Sequence, residues 1–154
     1  MRTISVSYLE KAILGKKLLI DTNVIIYLTD TVAPYDVLSR RLFEMIENGD
    51  VTAIISIISV GEVMQGPLRR EFDQAAAEVK EYLLNFPNLF CEELTLPILD
   101  IIGEDQRIGW SKMRTADSLI VASALKNKVN KIISNDNHFK KALPKELLIS
   151  FEKN

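Results

Sequence analysis

Leu18-Leu19-Ile20-Asp21-Thr22-Asn23 is a short apolar run that breaks into a carboxylate and two hydrogen-bonding side chains. Its apolar half, Lys17–Ile20, reads as a buried strand, and 23–28 as a brief helix leaving it. An acid at the edge of a core is there for a partner, because a bare carboxylate is costly to desolvate. Three further acids stand at matching element ends: Glu62 in Ser59-Val60-Gly61-Glu62, Asp117 in Arg114-Thr115-Ala116-Asp117, and Asp136 in Ser134-Asn135-Asp136-Asn137. Four such positions on one chain suggest a shared cationic partner, most simply a divalent metal.

Outward from that stretch, strands and helices alternate without repeat or linker. Helical spacing marks 37–46, closed by Asn48-Gly49. The β-branched run 51–58 reads as a second strand, and Ser59 as the start of a helix that stops at Gly66-Pro67. A helix is expected over 72–84, a strand over 89–94 and a helix from Pro97 to about Ile108. The most amphipathic helix is expected over 115–127. A strand at 131–134, a helical turn at 138–142 and a strand at 147–151 complete the chain. Strands separated by helices, with no hairpin signal, predict a three-layer α/β/α sandwich around a mainly parallel sheet. In such sheets ligands collect at the carboxyl ends of the strands, where Asp21 and Asp136 fall.

Length and composition agree with this reading. The 154 residues suit one domain with its own core, a lead over 1–16 followed by a core over 17–151. No apolar run is long enough for a membrane span, and the N-terminus lacks the pattern of a signal peptide, so a cytoplasmic protein is expected. One cysteine, Cys91, and one histidine, His138, leave no set of zinc-type ligands. The net charge of −2 conceals an uneven spread. From Arg107 to Lys145 there are nine basic residues and two acids, Asp117 and Asp136; from Glu71 to Asp105 there are nine acids and one lysine. A basic rim around an acidic pocket suits a polyanion, while lysines that merely solvate helix ends explain any one of them equally well.

Each acid also has a local explanation. Asp21 can cap the helix that follows it. Ser59-x-x-Glu62 has the form of a capping box, Asp117 lies where a helix dipole favours an anion, and Asp136 between two asparagines is turn chemistry. These explanations do not account for two acids ending separate apolar strands while two helix starts supply the others. His138 beside Phe139 reads as structural, and Trp110 as a core residue rather than a base-stacking platform.

Taken together, the four motifs resemble the PIN domain family of metal-dependent nucleases over nearly the whole chain. The strand into Asp21-Thr22-Asn23 matches the first motif, Ser59 to Glu62 the second, Arg114 to Ala124 the third and Ser134 to Phe139 the fourth. The small size looks most like the toxin half of a VapBC-type toxin–antitoxin pair, although the lead before the first strand departs from that compact pattern. The resemblance implies hydrolysis of an RNA phosphodiester with magnesium or manganese, metals that take oxygen ligands. It implies Asp21, Asp117 and Asp136 as ligands and Glu62 as a further ligand or water-positioning group. Asn23 and Ser134 would orient the aspartates, and Lys112 and Arg114 would meet RNA. The implied partners are RNA, an antitoxin protein and a second copy in a homodimer, with no membrane. Two other classes fit less well. A phospho-acceptor receiver domain needs adjacent acids after its first strand, which Asp21-Thr22-Asn23 lacks. A catalytically silent PIN scaffold would have no reason to keep all four acids.

Overall fold

The computed structural model describes residues 2–153. Five strands, β1 (Lys17–Ile20), β2 (Thr52–Ser56), β3 (Leu89–Glu92), β4 (Lys131–Ile133) and β5 (Leu148–Ile149), form one sheet in the order β3-β2-β1-β4-β5. Every neighbouring pair is parallel. The chain steps outward from β1 through β2 to β3, then crosses back to lay β4 against the other side of β1. That reversal opens a crevice at the carboxyl ends of β1 and β4, the usual binding position in open α/β sheets.

Alternation along the strands divides the core in two, because successive side chains point to opposite faces. Leu18, Ile20, Ala53, Ile55 and Ile133 pack with α1 (Val6–Ile13), α2 (Thr22–Thr29), α3 (Asp36–Glu47), α4 (Ile57–Arg69) and α5 (Asp73–Leu84). Leu19, Ile54 and Ile132 face the other way, onto α7 (Thr115–Lys126) and α8 (Asn137–Ala142), with Ile108 and Leu143. Two apolar layers on one parallel sheet are the α/β/α sandwich expected from the sequence. No helix among the described residues is long and apolar enough to cross a membrane.

Several boundaries differ from expectation, each for a local reason. Strand β2 stops at Ser56, whose hydroxyl accepts from Ile58 N at 3.1 Å and so caps α4. The helix therefore begins at Ile57, not Ser59, and Ser59-x-x-Glu62 is no capping box. The same helix runs through Gly66-Pro67 to Arg69. Pro crowds the Cβ of the residue before it, and Gly66 has none. Between Pro97 and Ile108 only α6 (Ile98–Ile101) forms, because the backbone turns to φ 89° at Gly103. Strand β3 ends at Glu92 and β5 spans two residues. Helix α7 is not amphipathic: Asp117, Ser118 and the unbroken run Ile120 to Ala124 are all buried. Its small side chains let it sink between the sheet and its neighbouring helices.

The segment ahead of β1 is part of this architecture. Ser5 caps α1 by accepting from Tyr8 N at 3.0 Å, and Leu9 and Ile13, four apart on one face, are fully buried in the first core layer. Thr3 pairs antiparallel with Glu152, tying the segment before α1 to the one after β5. Leu9→Ala should cost about 2–5 kcal/mol, the range for emptying a packed leucine site. Urea unfolding would check this, and a loss below about 0.5 kcal/mol would mean that α1 is a loose appendage.

Candidate metal centre

The backbone brings the first two acids together. Asp21 N donates to Ile133 O at 3.0 Å, continuing the β1–β4 ladder by one residue. The ladder then opens, and Asp21 and Ser134 leave it side by side. Ser134 Oγ donates to Asp21 Oδ2 at 2.6 Å and accepts from Asp136 N at 3.0 Å, so one buried hydroxyl sets the position of both aspartates. Asn23 works across the same gap: its amide lies 3.5 Å from Asp21 Oδ2 and its carbonyl accepts from Asn135 N at 3.3 Å. Asn135 is held in turn, accepting from Ser150 Oγ and Phe151 N, both at 2.8 Å, and donating to the Tyr27 hydroxyl at 3.3 Å.

Asp21 is 5% exposed and caps α2, its Oδ1 accepting from Thr22 N at 2.8 Å. Burial pushes its carboxyl up to about 6, against the pull of its bonds to Ser134 and Thr22, with the charges of Asp136 and Asp117 adding to the rise. Asp117 is equally buried, and its Oδ2 takes two donors from one residue, Arg114 N at 3.2 Å and Arg114 Nε at 3.0 Å. Asp136 caps α8, its Oδ1 accepting from His138 N at 2.7 Å with the imidazole Nδ1 3.0 Å away. Asp117, Asp136 and His138 each present one ligand atom, and the three atoms lie within 4.8 Å of one another.

Glu62 approaches from α4. It is exposed, and its Oε1 accepts from the Thr22 hydroxyl at 2.7 Å, which also lies 2.9 Å from Ser59 Oγ. It stands outside the three-residue group, as Asp21 does, but its charge reaches the Arg114 guanidinium. That guanidinium fills the space between the acids. Nη2 lies 3.2 Å from Asp117 Oδ1 and 3.3 Å from Asp136 Oδ2. Hydrogen bonding to Asp117 raises Arg114 above the usual arginine range, with Asp136 and Glu62 adding to the effect. Lys112, two residues earlier on a 3-10 turn, is exposed and makes no ion pair among the described residues.

Two features went beyond the sequence reading. His138 is half-exposed at the site rather than a packing residue; an imidazole two residues beyond a helix-capping aspartate can fold back on it, and Asp136-x-His138 carried that signal. Arg114 turns onto the acids, a three-residue offset that places it on Asp117 across the first helical turn. The basic rim is thinner than the charge count implied. Arg107 pairs with Asp105, Lys126 with Glu92 and Lys140 with Glu152. Trp110 packs against the second core layer and donates to Asp105 O at 3.0 Å.

The donor set fits a divalent cation. It is made of carboxylate oxygens with one imidazole, burial and then the charges of Asp136 and Asp117 hold Asp21 against ionisation, and a cationic side chain already lies across it. The pH dependence follows from the sign of the Asp21 shift. A carboxyl with a raised folded-state pKa stabilises the fold most below about pH 4, and that contribution is lost as pH rises through about 6. In chelator, wild type and Asp21→Asn should be about equally stable near pH 4. By pH 7.5 the variant should be more stable by about 3 kcal/mol, with a smaller gain from millimolar magnesium. Thermal unfolding across that range would check this; a variant less stable at pH 7.5, with an unchanged magnesium effect, would show that the acids do not act together.

The family model described as PIN domain matches residues 18–142. Among solved structures, VapBC2 from Rickettsia felis, bound to a DNA fragment from its promoter, superimposes with a TM-score of 0.65 at 18% identity. The match covers 88% of this chain and 99% of that one. VapBC from Salmonella typhimurium, also DNA-bound, gives 0.64 at 15% identity, covering 88% and 98%. VapC20 of Mycobacterium tuberculosis, described as a sarcin-ricin loop cleaving toxin, gives 0.60 at 17%, covering 80% and 93%. A comparison with curated proteins finds no match.

Proposed function

The chain belongs to the PIN domain family, and from that premise we propose that it is a magnesium- or manganese-dependent endoribonuclease, the toxin of a VapBC-type toxin–antitoxin pair. The observation that carries the reading is the meeting of Asp21, Asp117 and Asp136 at the β1/β4 crevice, around a point that already draws a cation. The similar structures are described as toxin–antitoxin complexes or toxins, which supports an antitoxin as partner. A homodimer and a cytoplasmic setting belong to the same proposal.

Asp117 and Asp136 would hold the ion, with Asp21 behind them and His138 beside Asp136. When bound, such an ion supplies positive charge against the phosphoryl oxygens and makes water a better nucleophile. The protein's own groups do the rest. Ser134 and Asn23 hold Asp21 and the 135–136 backbone at fixed separation, so the acids need no rearrangement to receive substrate. Glu62, fixed by Thr22 through one oxygen, keeps the other free to accept a proton or orient a water for in-line attack. Hydrolysis in that sense leaves a 5′-phosphate and a 3′-hydroxyl. Lys112 stands exposed at the rim, where it can meet a flanking phosphate.

Purified protein should cut single-stranded RNA in magnesium or manganese and stop in chelator. Asp21→Asn and Asp117→Asn should each abolish cleavage with unchanged circular dichroism. Wild-type turnover by either variant would remove that residue from the essential set. RNA affinity should fall with salt through counterion release, and Lys112→Glu should weaken binding and flatten the slope of log K against log salt by about 0.7, one contact on a single strand. An unchanged slope, measured by fluorescence anisotropy in a cleavage-dead background, would assign Lys112 to the solvated surface.

A further inference from the structure

Among the described residues, Arg114 is the one basic residue that pairs with two of the site acids. Its side chain is 63% exposed, and its guanidinium is held by the carboxylates of Asp117 and Asp136. Through Nε and Nη2 it engages both oxygens of Asp117, and through Nη2 also one oxygen of Asp136. Those two aspartates are the ones that, with His138, converge closely enough to hold a metal ion. Seated across both oxygens of Asp117 and one of Asp136, the guanidinium takes up the lone pairs that a divalent ion there would need and adds positive charge beside it, so the two compete for the same carboxylates. The backbone bond from Arg114 N to Asp117 Oδ2, at 3.2 Å, does not depend on the side chain and would keep Asp117 oriented after the guanidinium left.

We propose that Arg114 is a tethered resident cation of the metal centre, which competes with the divalent ion for Asp117 and Asp136 and sets the metal concentration at which the site loads. The inference rests on the metal-dependent reading above. Loading is an exchange: the guanidinium swings out to solvent, at little packing cost, as the ion takes its oxygens. In the metal-free protein Arg114 relieves the repulsion among Asp117, Asp136 and Asp21, so the site is held assembled while empty of metal. Apparent metal affinity is reduced by the fraction of molecules whose site is blocked. If about a tenth are open at any moment, removing the side chain raises affinity about tenfold.

The test is manganese binding by the full chain, measured by calorimetry or by loss of the free-ion electron paramagnetic resonance signal. Wild type, Arg114→Met, Arg114→Lys and Asp117→Asn are compared. Arg114→Met should bind manganese about tenfold more tightly than wild type. Arg114→Lys should fall between them, because an ammonium is a point charge that cannot fork across two carboxylates. In thermal unfolding Arg114→Met should melt below wild type in chelator and gain more from manganese. Arg114→Lys preserves the charge should the methionine variant fail to fold, and tighter binding than wild type in that variant alone supports the exchange. If Asp117→Asn loses binding while both Arg114 variants bind as wild type or more weakly, the exchange is overturned and the metal centre stands. If wild type and the Arg114 variants all fail to bind manganese, the metal-dependent reading and the exchange fall together.

Discussion

The pairing of β1 with β4 is the constraint on which the rest depends. Leu18, Leu19 and Ile20 lie against Lys131, Ile132 and Ile133, segments more than a hundred residues apart in the chain, and a parallel pair of this kind needs a long crossover to close. Everything between them, two strands, six α-helices and a 3-10 turn, is that crossover. Once the pair has formed, Asp21 and Ser134 emerge from adjacent strand ends and their side chains meet at 2.6 Å. No loop flexibility is available to separate them, because Asp21 N is still bonded to the sheet. The site is therefore a property of the strand register. A slip by one residue would turn Leu18 and Ile20 into the wrong layer and carry Asp21 away from the crevice.

Concentrating acids at that point carries an electrostatic cost, met by short-range donors. Asp21 has a hydroxyl and a helix-terminal amide, Asp136 a helix-terminal amide, and Asp117 an amide and a guanidinium. The distribution is unequal. Asp21 has only neutral donors, and burial displaces its carboxyl upward to about 6. Charge compensation goes instead to Asp117 and Asp136, through an exposed arginine. Neutral donors fix geometry without filling the place of a cation; a mobile side chain fills it reversibly.

Much of this was legible in the residues. The strand cores, the parallel sheet and the positions of Asp21 and Asp136 at strand ends follow from apolar runs broken by acids. The errors came where tertiary contact overrides local pattern. Helix α7 was expected to show a polar face, yet burial between two layers makes its alternation of small and aliphatic residues irrelevant to solvent. Ser59 looked like a cap because Glu62 follows at the right interval, but Ser56 stands one turn earlier and its hydroxyl takes the role. The segment 98–108 has helical spacing, and a single left-handed glycine at 103 ends the helix after one turn. Side-chain direction at the site was the least legible: the three-residue spacing lets Arg114 reach Asp117 but does not by itself exclude an arginine facing outward to substrate.

The cap and the site are not competing explanations of the same residues. An aspartate at a strand end that caps the next helix must place one oxygen on the helix amides, which leaves the other pointing back over the strand end. For Asp21 the first oxygen meets Thr22 N and the second meets Ser134; for Asp136 the first meets His138 N and the second meets Arg114. Capping thus fixes the rotamer that presents the free oxygen to the crevice, and the positive end of the helix dipole supports the ionised form. Local helix chemistry and a shared cation centre use opposite oxygens of one carboxylate. That is why two commonplace capping signals, Asp21 and Asp136, placed at the ends of strands that the fold brings together, can anchor a charged site without either giving up its local role.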